Sequence, residues 1–355
     1  MREIKIAFWN VGNLFDTTAS ELATDLEFTP EHGWTQQAYD TKVANLAAVL
    51  NALHGGAGPD LLGLCEVENV HVVKDLIKAM GRTDLQVAHI DSKDIRGIDC
   101  TLVYSDKLFR KPAKSDMEGH TVHLRYATRD IFEVRLKLKG SGTTPELIVL
   151  VNHWPSRKNG QYETEPLRLT AAEHTGRLVD SYLKYSKQEF MTANPPLTLD
   201  QLNVRWNRNV LLMGDFNDEP YSRSMLDYLQ ASKDLDHVEE LVKGSAGGRP
   251  PSVERYLKVS AHLFNPMWAL LAVPDRGTHY FSSATNSMNL LDQFILTRGL
   301  VYGTQRLKFD PASVAIFSQA PAADARGRPR NFDREKLTGV SDHLPITARI
   351  QVLGP

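Results

Sequence analysis

Leu-Leu-Met-Gly-Asp-Phe-Asn (211–217), Leu-Leu-Asp-Gln-Phe-Ile (290–295) and Ser-Asp-His-Leu-Pro-Ile (341–346) are the stretches on which the reading of this chain turns. Each sets a carboxylate at the end of, or beside, an apolar run of strand length. The third also supplies a histidine. Two earlier runs end in the same way: Ile-Lys-Ile-Ala-Phe-Trp (4–9) leads into Asn10, and Leu-Leu-Gly-Leu-Cys (61–65) into Glu66. Five strand ends that carry metal- or proton-handling groups, gathered in one cleft, make a site suited to metal-assisted attack on a phosphoester.

The remaining pattern places these ends in a fold. Thr35 caps a helix over 36–54, with Tyr39, Val43, Leu46, Leu50 and Leu53 at helical spacing and Gly55-Gly56 as its stop. A strand over 60–66 and a helix over 70–80, closed by Gly81, follow. Strands are predicted at 85–90, 99–104, 119–124, 130–138 and 146–152, and a long helix at 165–186. Strand 209–215 precedes helices at 222–230 and 234–243. The last strands are 278–282, 290–297, 304–309 and 343–351. Helices and strands mix without strict alternation, so antiparallel pairing dominates, and the pattern fits an α/β sandwich of two packed sheets with outer helices. Residues 190–208, 244–277 and 318–338 read as insertions in one domain, 1–355. Acidic blocks at both ends of the chain cannot serve one cleft if the chain is cut in two. Within the second insertion, the apolar stretch Phe264–Val273 reads as a buried helix.

A net charge of −2 over 355 residues excludes a protein that coats nucleic acid by bulk charge. It leaves room for an enzyme with a local basic groove. Cys65 and Cys100 sit in apolar runs and read as buried, reduced core residues. No run reaches the length of a membrane span, and the N-terminus enters a strand with no leader pattern, so a soluble, cytoplasmic protein is expected, with a processed secreted form as the alternative.

Individual residues then take roles. Glu66 is the best metal ligand, because an unpaired carboxylate ending an apolar run is costly to bury. Magnesium and manganese both prefer such oxygen donors. Asp215 and Asn217, two apart, share one side of an extended backbone. Asp215 can bind metal or orient a water, and Asn217 can donate to a phosphoryl oxygen. Gly214 lets the backbone approach closely. Asp342 and His343 pair a carboxylate with an imidazole, and Asp292 is the natural partner of that imidazole. Asn152-His153-Trp154-Pro155-Ser156-Arg157 adds a second histidine at a strand end, placed to protonate a leaving oxygen or to stabilise the charged transition state. Asn152, Arg157 with Lys158, and Arg129 are candidates for substrate contact, and Arg96 is a weaker one. Asp218 reads as a helix N-cap and Glu68 as a solvated loop residue. His32, His54, His71, His174, His262 and His279 match no ligand spacing and read as structural or exposed.

Taken together and in order, the opening Ala-Phe-Trp-Asn-Val-Gly-Asn-Leu-Phe-Asp (7–16), Asn-His-Trp-Pro-Ser-Arg (152–157), Leu-Leu-Asp-Gln-Phe-Ile and Ser-Asp-His-Leu-Pro carry a resemblance. From Ile4 to Val352 the chain resembles the endonuclease/exonuclease/phosphatase superfamily, the deoxyribonuclease I-like fold, and its bacterial nuclease-like branch in particular. The resemblance implies a four-layered α/β sandwich with the site at one edge of two facing sheets. It implies a Mg2+ or Mn2+ site of Asn10 and Glu66 with Asp342 contributing, and Asn13 as a helper. His153 matches the first catalytic histidine, Asp215 and Asn217 the Asp-x-Asn pair, and His343, oriented by Asp292, the second histidine. Arg129 sits where such enzymes contact phosphate, and Asp99 is the nearest candidate for an acid paired with His153. The expected function is phosphodiester hydrolysis by in-line water attack, with DNA the favoured substrate. The alternatives are a small nucleotide, an inositol phosphate or a lipid headgroup. A binding scaffold without activity is disfavoured, because each matched position holds the expected residue type.

Overall fold

Strands buried on both faces read as unbroken apolar runs, and this chain has two sheets built from such strands. The structure, a computed structural model, describes residues 2–18, 26–122, 128–140, 144–241, 250–281 and 287–354. Its strands in chain order are β1 (Arg2–Leu14), β2 (Leu61–Val67), β3 (Leu85–His89), β4 (Asp99–Ser105), β5 (Met117–His120), β6 (Ile131–Lys137), β7 (Glu146–His153), β8 (Val210–Asp215), β9 (Ala231–Ser232), β10 (Leu263–Phe264), β11 (His279–Phe281), β12 (Ser287–Asn289), β13 (Asp292–Leu296), β14 (Leu307–Ile316) and β15 (Ile346–Val352). One six-stranded sheet runs β14-β15-β1-β2-β4-β3 and a seven-stranded one β5-β6-β7-β8-β13-β10-β9, with β11–β12 a separate hairpin. The pairs β1–β2, β7–β8 and β9–β10 are parallel and the others antiparallel. This is the sandwich that the sequence implies.

Alternation along each strand of the second sheet sorts its side chains into two cores. Leu211 and Met213 of β8, Val149 and Val151 of β7, and Phe294 of β13 pack in the central core shared with the first sheet. Leu212, Leu150 and Ile295 pack outward against α3 (Glu165–Leu183) and α5 (Leu199–Trp206). The first sheet is covered by α1 (Gln36–Gly56) and α2 (Val70–Met80), and α4 (Lys187–Thr192) follows α3. The sheets meet closely at Gly63, where an added Cβ would lie 2.4 Å from the Met213 sulfur. Asp215, His153 and Asp292 continue the inward parity of Met213, Val151 and Phe294.

Local chemistry sets the boundaries. Thr35 accepts from the Ala38 N–H as the N-cap of α1, which loses helical geometry at Leu53, and Gly81 closes α2 in the left-handed conformation. Several expectations are corrected. The helix expected at 222–230 is a π-helical turn, Ser224–Tyr228, and 234–241 holds only a 3-10 turn at Leu235–His237. The segment Pro266–Ala272 is a 3-10 helix that buries Met267 and Leu270, and β10 just before it pairs with β13. The final strand starts at Ile346, not 343, because Pro345 has no N–H for the ladder. Parts of the segments expected at 119–124, 234–243, 244–277 and 278–282 lie outside the described residues. Cys65 and Cys100 face each other across β2 and β4 as buried free thiols. No helix among the described residues is long and apolar enough to cross a membrane.

Candidate active site

The carboxyl ends of two parallel strand pairs, one from each sheet, open onto the same place. In the first sheet both strands bulge there: β1 shifts register between Asn10 and Leu14, and β2 between Cys65 and Val67. A bulge re-aims a side chain, and here it releases Asn10 and Glu66 from the ladder. Glu66 takes a positive φ of 62°, which is uncommon for a residue with a long side chain. In the second sheet His153 is the register partner of Asp215, and Asp215 is in turn that of Asp292. The close approach at Gly214 is confirmed, since an added Cβ would lie 2.4 Å from the Asn152 carbonyl oxygen.

Side chains knit these ends together. The Asn10 amide donates to Asp215 Oδ2 at 3.1 Å and to Glu66 Oε1 at 3.2 Å, while its oxygen accepts from the Gly12 N–H at 3.0 Å. Glu66 Oε2 accepts from the Asn13 N–H at 3.0 Å, and Asn13 Oδ1 accepts from Arg96 at 2.9 Å. His343 Nδ1 lies 2.7 Å from Asp292 Oδ2, so the pairing expected from sequence is present. His343 Nε2 faces Asp215 Oδ2 at 3.7 Å. His153 Nε2 looks toward the same Asp215 oxygen at 3.7 Å and toward Glu66 Oε1 at 3.5 Å. The final loop is anchored to β1 by Ser341 Oγ donating to the Asn10 carbonyl, and by Trp9 Nε1 donating to the His343 carbonyl.

Burial and charge then divide the two histidines. For His343, burial opposes the charged ring, but the carboxylates of Asp292 and Asp215 override it and hold the ring well above the ordinary histidine range. For His153, burial comes first and the Arg129 and Arg96 guanidiniums add to it, so the ring is held well below that range. With Nε2 facing two carboxylates, the neutral His153 ring is best satisfied as an Nε2–H donor. Its Nδ1 is buried with no partner among the described residues. Burial raises Glu66, and the Asp342 charge raises it further. Burial likewise raises Asp215, reinforced by Asp292. Asp342 goes the other way: burial opposes its charge, but His279, His343 and Lys42 hold it below the usual carboxylate range.

These groups form an oxygen-rich set of hard donors. The unfavourable crowding of Glu66 with Asp342, and of Asp215 with Asp292, is what an oxygen-seeking divalent cation would relieve. Glu66 and Asp342, with the Asn10 side chain beside them, therefore fit an oxygen-seeking divalent cation.

Other candidates stand elsewhere than the sequence suggests. Asn152 is fully buried; its amide donates to the Leu150 carbonyl and its oxygen accepts from Trp154 Nε1, so it shapes the strand end and cannot reach substrate. Arg157 is also buried. It donates to the Asn217 carbonyl at 2.6 Å and to Asp218 Oδ1 at 3.0 Å. Asp218 also pairs with Arg168 at 2.9 Å, so it is the centre of a buried ion cluster and not a helix cap. Asn217 has a φ of 51°, so it does not share Asp215's face as an extended strand would require; its amide donates to the Trp154 carbonyl and its N–H to Asp215 Oδ1. Arg129 is held by Asp94 at 3.3 Å and the Trp154 carbonyl at 3.2 Å, beside His153. Asp99 serves His89 at 3.4 Å and the Ser92 N–H, and does not pair with His153. Glu68 is not solvated: it is part-buried, accepts from the Asp16 N–H, and burial pushes it up to about 7.

Two residues of the site were missed. Lys42, buried in α1, donates to the Gly12 carbonyl, and burial lowers it to about 8 against the pull of Asp342 and Glu66. His279, at the start of β11, packs its ring against that of His343, with centroids 4.6 Å apart and the planes tilted by 54°. Lys42 could have been found from its place between Tyr39 and Val43 on the buried face of the helix. His279 carries no such periodic signal.

Comparison with known proteins bears on the family and the fold. Residues 5–194 match the profile described as the Endonuclease/Exonuclease/phosphatase family. No curated protein matches the chain. Among solved structures, an endonuclease/exonuclease/phosphatase family protein from Bacteroides thetaiotaomicron superposes with a TM-score of 0.53 at 12% identity, covering 98% of each chain. A mannosyl-6-phosphatase from the same organism gives 0.51 at 12% identity, over 99% of this chain and 100% of that one. A humanised D. rerio TDP2 gives 0.51 at 14% identity, over 99% of each. At these identities the likeness establishes the fold.

Proposed function

This chain belongs to the endonuclease/exonuclease/phosphatase family of phosphoester-hydrolysing, divalent-metal-dependent enzymes, and from that premise we propose that it is a phosphodiesterase acting on DNA as an endonuclease. One observation carries the chemistry: the Asp292–His343 pair and His153 converge on a single oxygen of buried Asp215, beside Glu66 and Asn10.

Each residue then has a task. Asp292 holds Nδ1–H of His343, so that Nε2 accepts the proton of a water that Asp215 orients. Neutral His153 donates Nε2–H to a non-bridging phosphoryl oxygen; its depressed basicity favours this over proton delivery to the leaving group. Asn217 is fixed by the Trp154 carbonyl, leaving its second amide hydrogen for the same phosphoryl group. Glu66, Asp342 and Asn10 would hold a divalent ion, which when bound would supply positive charge for the oxygens on which charge develops. No covalent intermediate is required, so positioning and charge stabilisation carry the rate.

The choice of DNA is supported by a basic segment near the cleft. Arg326 and Arg330 are exposed, and Arg328 lies over the Tyr280 ring at 4.1 Å, next to His279. The second reading, a small phosphoester, draws support from Arg157, whose guanidinium is spent on Asp218 and Asn217 and not available to a nucleic-acid backbone. We take residues 1–355 as one domain in the cytoplasm. Supercoiled plasmid incubated with Mg2+ or Mn2+, with EDTA and Asp215→Ala as controls, tests the proposal. Nicking that needs both metal and Asp215 supports it; intact plasmid with turnover of small phosphoesters favours the second reading.

A further inference from the structure

His279 belongs to no expected constellation, yet its ring sits at the mouth of the site. Its position is fixed by the backbone. Thr278 accepts from the Leu344 N–H at 2.7 Å through its carbonyl, and from the Leu291 and Asp292 N–H groups through its hydroxyl. His279 itself forms an isolated antiparallel bridge with His343. These bonds press the start of β11 against the loop that carries Asp342 and His343.

The spacing is informative. His279 Nε2 stands 3.8 Å from Asp342 Oδ2, too far for a direct hydrogen bond. Two donors that share one small divalent ion, each about 2.1 Å from it, stand about 3–4 Å apart. One ligand atom each from His279, Asp342 and His343 lie within 4.8 Å of one another. His343 gives Nδ1 to Asp292 and turns Nε2 toward Asp215, which leaves the His279–Asp342 pair as the open donors on this side.

We propose that His279 is a further metal ligand, acting with Asp342, and that it tilts the site from Mg2+ toward Mn2+ and other first-row transition ions. The chemistry follows from the donor: Mg2+ takes oxygen ligands almost exclusively, whereas transition ions accept an imidazole nitrogen readily. This assignment rests on the metal-assisted reading above.

The test uses the full-length protein loaded with Mn2+ alone. Pulsed electron paramagnetic resonance of the wild type is expected to show nitrogen coupling to the ion. The coupling is lost in His279→Gln, and also in His279→Phe, which keeps a ring packed against His343 and so protects the fold if the glutamine variant fails. Mn2+ binding weakens about tenfold in both variants, while Mg2+ binding changes less than about twofold. Mn2+ uptake without nitrogen coupling in the wild type, or coupling that survives in either variant, overturns the His279 assignment alone. A wild type that takes up no Mn2+ overturns both this assignment and the metal-assisted reading beneath it.

Discussion

His153 and His343 each place Nε2 3.7 Å from the same oxygen of Asp215, yet their surroundings shift their basicity in opposite directions. The difference lies behind the rings. His343 has a carboxylate on Nδ1 and a second one in front. His153 has no partner on Nδ1 among the described residues, and two guanidiniums nearby. One shared aspartate therefore cannot decide what a histidine does; the partner on the far nitrogen does. Under the proposed mechanism the pair divides labour within one site, with a strongly basic ring that collects a proton and a neutral ring that donates a hydrogen bond.

The largest test of that division is His343→Ala. It should lower kcat on a phosphodiester by about 10³-fold or more, with the circular dichroism spectrum unchanged. An equal loss in His153→Ala and His343→Ala, with matching pH profiles, would erase the distinction. Next in size, Asp292→Asn should cost on the order of 10²-fold in kcat, because it removes the anion that sustains the His343 cation. For His153 the donor role predicts an asymmetry. His153→Ala loses about 10²-fold, as when one oxyanion-stabilising donor is removed, whereas His153→Gln, which keeps an N–H, loses only about tenfold. The smallest effect is spectroscopic. In Arg129→Ala, NMR titration should find the His153 ring titrating at higher pH than in the wild type, because a cation that disfavoured its charge is gone. An unmoved titration would leave the depression to burial and the remaining cations, Arg96 first.

Much of this contrast was legible in the sequence. Asp292 inside Leu-Leu-Asp-Gln-Phe-Ile had to find a partner, and a histidine following an aspartate near the chain end offered one. Strand parity carried Asp215, His153 and Asp292 to one face, because period-2 alternation is a local property. The missing information was long-range. Arg157 looked like a phosphate donor because Asp218, its buried partner, is 61 residues away. Asn217 left the expected face because the chain turns left-handed just after β8. Glu68 and Asp99 found partners in neighbouring loops, and His279 joined the site through a bridge to the final loop 64 residues later. None of these pairings has a periodic signature.

The most direct measurement is the pH dependence of kcat/KM on a phosphodiester, for the wild type and Asp292→Asn. As a base, His343 works only when neutral. Its proton is held above the ordinary histidine range, so activity should fall as pH drops through that raised value, and the acidic limb should lie above the ordinary range. In Asp292→Asn the limb should move to lower pH while the plateau drops. An acidic limb at or below the ordinary histidine range in the wild type, or one that Asp292→Asn leaves in place, would contradict the assignment of His343 as the base.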